Sequence, residues 1–241
     1  MDGDIPRDRS LEIQKIIDSK PSLIIYGVTY RSITDESSDS SFLERVNLVH
    51  SRLDVREDSY FLFTNDELKM ITTGPSFLYN KTFFRSALKD KLFGKDDKTN
   101  KINYKIDPYG DNHRKYWGNL SDNSQIIRFS NDPHNKWRPI VTNESTIYKE
   151  ALIYNVKTLQ DAGIPVIIIN MPIHPLFSEK ITDESRQNFF DLLNQTGAVW
   201  YDMERDYGDE FFYDSHHASF YGAHQFAPVM ADLIIEQVEK G

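Results

Sequence analysis

The chain contains no cysteine, which excludes disulfides, thiolate metal sites and a cysteine nucleophile. It also lacks any apolar run approaching the roughly 18–20 residues needed to cross a bilayer, so no membrane span is expected in it. The N-terminus, Met1-Asp2-Gly3-Asp4, is acidic where a signal peptide would be basic. Positive charge is scarce: 28 Lys and Arg stand against 37 Asp and Glu, a net charge of −9. Nucleic acid needs clustered Lys and Arg to displace its counterions, so it is not an expected partner. The densest basic stretch, residues 89–105, is diluted by Asp90, Asp96 and Asp97 and reads as a solvated loop. No internal repeat or low-complexity tract breaks the sequence. What is there suits a folded protein, since 39% apolar and 13% aromatic residues over 241 positions suffice for a packed core.

Three short apolar runs stand out at residues 23–26 (Leu-Ile-Ile-Tyr), 166–169 (Val-Ile-Ile-Ile) and 199–201 (Val-Trp-Tyr). Each follows a helical pattern: residues 11–17 before the Lys20-Pro21-Ser22 break, residues 145–160 ended by Gly163 and Pro165, and residues 183–194 closed by Gly197. Continuous β-branched runs alternating with amphipathic helices mark βαβ units whose strands are covered on both faces. The fold class expected is α/β, a three-layer α/β/α sandwich with a parallel sheet. A last helix is predicted over residues 222–239. Residues 57–140 differ in character, being rich in Asn, Asp, Lys and aromatics, with turn signals at Asp107-Pro108-Tyr109-Gly110 and Asp132-Pro133. They read as an irregular, aromatic-rich insertion or cap on the core, and residues 1–241 as a single domain. Tyr116, Trp117 and Trp137 within it suit either stacking on sugar rings or packing of the cap.

In an open α/β sheet, ligands collect beyond the carboxyl ends of the strands. Those positions here are Gly27-Val28-Thr29-Tyr30-Arg31-Ser32, then Asn170-Met171-Pro172-Ile173-His174-Pro175, then Asp202 and the run from Phe211 to Ala223. The last run contains Asp214-Ser215-His216-His217, with Gly222 five residues on. A histidine acting as general base needs a carboxylate to hold one tautomer and stabilise the imidazolium. In a tight turn before a helix, Asp214 can accept from His217 Nδ1–H and leave Nε2 free. The plain alternative is a polar turn whose Asp caps the helix. His216, His217 and His224 with Asp214 lack the His-x-x-x-His spacing of a helical metal site, so neither metal nor cofactor is expected.

From residue 164 to 235 the chain resembles the last third of SGNH/GDSL hydrolases: a strand ending in a Pro-containing loop, a helix, a strand ending in Tyr-Asp, an aromatic run, then Asp-x-x-His and Gly-Ala. With Asn170-Met171-Pro172-Ile173-His174-Pro175 it is similar to extracytoplasmic relatives acting on cell-envelope polymers, such as the D-alanyl-transfer and alginate-acetylation proteins. The resemblance implies a flavodoxin-like SGNH sheet, His217 as base and Asp214 as its orienting carboxylate. It implies an extracytoplasmic setting and a small-molecule ester or acylated glycan as substrate. Upstream, Gly27 falls at the glycine of the family's Gly-x-Asn-Asp block, which puts Thr29 at the oxyanion Asn and Tyr30 at the Asp. Gly27, Thr29, Asn170 and His174 are the oxyanion or substrate-binding candidates. In that register the first strands and the Gly-Asp-Ser serine would precede residue 1, and the exposed sheet edge would invite self-association. A competing register makes residues 24–32 the first strand and nucleophile elbow, with Thr29 or Ser32 attacking. The expected function is thus an esterase or O-acyltransferase, or else a degenerate SGNH-like binding or scaffold module.

Overall fold

The computed structural model describes residues 6–34, 55–73, 144–212 and 218–240. In chain order its elements are α1 (Pro6–Ser10), α2 (Ile13–Asp18), β1 (Ile24–Val28), α3 (Asn65–Thr73), α4 (Thr146–Asp161), β2 (Val166–Asn170), α5 (Pro175–Ser178), α6 (Asp183–Gln195), β3 (Val199–Asp202) and α7 (Phe220–Lys240). Short 3₁₀ segments cover Tyr30–Ile33, Glu57–Leu62 and Asp209–Phe211. All three expected strands are present, and they form one parallel sheet in the order β1-β2-β3. β2 and β3 run in the register Ile167↔Val199 through Asn170↔Asp202. β1 and β2 start and finish together, since Ile24 N donates to Pro165 O (2.9 Å) and Met171 N donates to Val28 O (2.7 Å). The central strand is the Val-Ile-Ile-Ile run, buried at every position, whereas β1 and β3 are only partly covered. A fully apolar strand is stable only with neighbours on both sides and both faces, and β2 is where the sheet provides them.

The chain divides into two compact units: residues 1–24, 35–113 and 145–166, and residues 25–34, 114–144 and 167–241. In the first, Leu11, Leu62, Phe63, Ile71 and Ala151 form a core joined by Val55, Leu68 and Tyr154. Arg7 ties α1 to the 3₁₀ turn and α3 through Leu62 O (3.0 Å), an ion pair with Glu67 and the face of Phe63. The helix expected at residues 11–17 is α2; α1 precedes it, and the two break at Leu11-Glu12. Ser10 Oγ turns to Asn155 Oδ1 (2.8 Å) while Asn155 Nδ2 occupies Pro6 O (2.7 Å). The turn closes instead through the tighter bonds Leu11 N to Asp8 O and Glu12 N to Arg9 O. Of the expected insertion, residues 57–73 are described; residues 74–140, with Tyr116, Trp117 and Trp137, lie outside the described residues.

Helix ends follow their caps. Ser145 Oγ accepts from Tyr148 N at the start of α4, and Thr182 Oγ1 from Ser185 N at the start of α6. Gly163, at φ +77°, closes α4 in a Schellman motif: its N donates to Gln160 O (2.8 Å) and Ile164 N to Leu159 O (3.0 Å). A Cβ at Gly163 meets nothing within 4 Å, so Gly163→Ala isolates the left-handed backbone cost. Its expected effect in urea unfolding is a loss of about 1 kcal/mol.

The candidate site at the strand exits

Each strand exit is pinned by the residues that follow it. At β1, Gly27 lies inside the strand, and a Cβ there would come within 3.2 Å of Met171 Cγ, so glycine admits the Met171 side chain across the strand. Thr29 N donates to Ser32 Oγ (3.1 Å) and Ser32 N to Thr29 O (2.8 Å), so Thr29 opens the 3₁₀ turn with its amide committed to Ser32. Tyr30 is buried edge-on against Phe189 of α6, and its hydroxyl donates to Glu144 Oε1 (3.2 Å). Burial raises its phenol above the ordinary value. Thr34, just past this turn, pairs with Glu144 in an antiparallel bridge.

At β2 and β3 the exits are joined to each other. Asn170 is fully buried, and its Nδ2 donates to Asp202 Oδ1 (2.7 Å) across the last rung of the ladder. Met203 N continues the pairing to Asn170 O (3.0 Å), and Ile173 N reaches Glu204 O (3.2 Å). His174 caps α5: its Nδ1 accepts from Leu176 N (3.2 Å), which assigns the ring proton to Nε2, 3.4 Å from Asp209 Oδ1. Strand position suggested that His174 faces the site edge. The structure places its whole ring in the core, against Phe177 and Phe212.

Sequence reasoning missed the buried ionic cluster beneath these loops. Glu204, 1% exposed, accepts from Arg186 Nη2 (2.8 Å) and Nε (3.2 Å to Oε2) and from Ser178 Oγ (2.5 Å). Arg186 also donates to Ser178 O (3.0 Å) and Asp183 Oδ1 (3.2 Å). Its guanidinium is pushed further up, chiefly by the hydrogen bonds to Glu204. The cluster fastens α5 and the start of α6 to the loop after β3. The available signal was a Glu two residues past a strand-end Asp, with an Arg in a preceding helix, and polar residues so spaced are commonplace.

Beyond β3, Tyr207, Phe211 and Phe226 stack together, with Tyr207 and Phe211 centroids 4.1 Å apart. Phe212 bridges antiparallel to Ala218. Ser219 N donates to Phe211 O (2.8 Å), and Ser219 Oγ donates to Glu210 O (3.1 Å) and accepts from Gly222 N (3.0 Å) as the cap of α7. The two ends of the Asp214–His217 corner are therefore tied together, and its entry residue Phe212 lies 5.4 Å from the His174 ring, centroid to centroid. Asp214 and His217 themselves, with residues 213–217, lie outside the described residues, and so does any contact between them. Among the described residues no group of three or more His, Asp or Glu is arranged to hold a metal, and no helix is long and apolar enough to cross a membrane.

A model of an uncharacterised protein family matches residues 140–239. The match takes in α4, β2, α6, β3 and α7, and both Asp214 and His217 fall within it. No curated protein and no solved structure matches the chain.

Proposed function

We propose that the chain is an SGNH/GDSL-like acyl-transfer domain, an esterase or O-acyltransferase for an acylated carbohydrate or envelope polymer. Its core would be the three-layer sandwich of that fold. The observation that carries the reading is the Phe212–Ala218 bridge. It ties the ends of the Asp214–His217 segment beside the exit of β2, at the end of the sheet where ligands bind in this architecture. In the proposed reaction His217 Nε2 takes the proton of a serine as its Oγ attacks the ester carbonyl. Asp214 holds the imidazolium, and the leaving alcohol departs with that proton. Water or a second hydroxyl then releases the acyl group by the reverse sequence. Gly27 and Thr29 remain the oxyanion candidates, Thr29 through its side chain, because its N–H is given to Ser32. The second reading is a binding module without chemistry, in which Ser32 of the competing register serves only as the acceptor for Thr29 N that caps the 3₁₀ turn.

The test is a fluorophosphonate probe with peptide mapping of the labelled residue. The acyl-transfer reading expects one labelled hydroxyl, with labelling about 10²–10⁴-fold slower in His217→Ala. Absence of labelling, or labelling indifferent to His217, would leave the binding module.

A further inference from the structure

The Asn170 side chain is fully buried at the carboxyl end of the central strand, yet its Oδ1 accepts no hydrogen bond among the described residues. A buried acceptor without a donor costs about 1–3 kcal/mol, so a persistent one points to a partner outside the chain. The amide cannot satisfy itself by turning over. Asp202 Oδ1 accepts from Asn170 Nδ2 (2.7 Å) and from Glu204 N (3.2 Å), and a carboxylate oxygen accepts a donor and repels a carbonyl. Asp202 thereby fixes the amide with Nδ2 toward itself and Oδ1 away. Asp202 is exposed, and its Oδ2 makes no hydrogen bond among the described residues. The last rung of the β2–β3 ladder thus carries two open acceptors, one buried and neutral, the other exposed and anionic.

We infer that Asn170 and Asp202 form a binding subsite for a hydroxyl-bearing ligand, with adjacent hydroxyls donating to Asn170 Oδ1 and Asp202 Oδ2. The two residues that carry these acceptors stand opposite each other on neighbouring strands, in the register Asn170↔Asp202. A hard divalent cation is a poorer fit, because it needs six or more oxygens and no third carboxylate joins the pair among the described residues. An anion is excluded by the same two acceptors. Only donors of the Asn170 kind of partner, hydroxyl or N–H, relieve the unpaired carbonyl, and a hydroxyl does so without burying a charge. Under the acyl-transfer reading, on which this assignment of a role rests, the diol belongs to the alcohol portion of the ester or to the hydroxyl that accepts the acyl group.

The experiment is a titration of the full chain with vicinal cis-cyclohexanediol, following the Asn170 side-chain amide resonances by ¹⁵N NMR, with the diol's dimethyl ether as control. The diol should shift those resonances saturably and the ether should not. Asn170→Ala and Asp202→Asn should each bind the diol about tenfold more weakly, measured on neighbouring backbone amides. Asp202→Asn keeps shape and solubility, so it covers the case in which Asn170→Ala folds poorly. Resonances that do not move, or variants that titrate like wild type, overturn the subsite and leave only an ordered water on Oδ1. The two ideas fail separately. Diol binding retained in His217→Ala, with no probe labelling in any form, would sink acyl transfer alone. His217-dependent labelling with no diol response would sink the subsite alone.

Discussion

Arg186→Met is expected to lower the stability of the chain by about 3–5 kcal/mol, seen as a fall in the urea midpoint. Glu204 is 1% exposed, and three of its hydrogen bonds come from this one guanidinium. Methionine fills the same channel but leaves a carboxylate in the core with Ser178 Oγ as its near donor and Arg205 Nε at 3.9 Å. It also removes the donor held by Ser178 O. The double variant Arg186→Met, Glu204→Leu should recover most of the loss, because a buried pair replaced whole by apolar groups is often neutral. The coupling between the two sites is the quantity to measure. Recovery of less than about 1 kcal/mol would show that Arg186 acts by packing, not by charge. The first unit provides the contrast. Arg56 and Asp58 make a bidentate pair of similar geometry, at 3.0 and 2.8 Å, and the Arg56 hydrogen bonds hold Asp58 below the usual carboxylate range. That pair is largely exposed, so solvent screening limits Arg56→Met to less than about 1 kcal/mol.

The contrast also shows why the sheet was legible and the cluster was not. β2 announces itself as four consecutive β-branched residues between Gly163-Ile164-Pro165 and a polar residue, and burial on both faces leaves no other pattern open to it. β3 is shorter and half exposed, but Gly197 at φ +72° stops α6 just before it. Such signals are local. Whether Arg56 or Arg186 finds a buried carboxylate depends on pairings across 18 residues in one case and two in the other, and composition carries no trace of depth. The inward-facing ring of His174 was not legible for a related reason. The strand places it at the right end of the sheet, but the Pro175 start of α5 turns the ring inward to cap that helix. The break between α1 and α2 lies beside a contact of Ser10 with Asn155, far along the chain, and no window around Ser10 contains that partner. Asn170 was legible as a strand-end polar residue. Its pairing with Asp202 follows only from the β2–β3 register.

Gly222→Ala sets two effects of opposite sign against each other, and the contact should win. In the first turn of a helix, alanine is intrinsically favoured over glycine by about 1 kcal/mol, so propensity alone predicts a more stable protein. A Cβ at Gly222, however, would lie 2.1 Å from Phe211 O and 2.9 Å from Phe211 C. Both are backbone atoms, so no rotamer change relieves the overlap; α7 or the Asp209–Phe211 turn has to move. Phe211 O already accepts from Ser219 N (2.8 Å), and Ser219 Oγ already accepts from Gly222 N (3.0 Å), so a shift at either end stretches the cap and the adjoining Phe212–Ala218 bridge together. The net expectation is a loss of about 2–3 kcal/mol, larger than at Gly163, where the added methyl meets open space. Since the same bridge ties the ends of the segment carrying Asp214 and His217, probe labelling should fall in Gly222→Ala under conditions where the variant remains folded by circular dichroism. A Gly222→Ala protein as stable as the parent would mean that α7 does not approach Phe211 this closely in solution, and the anchoring of the corner would have to be sought elsewhere.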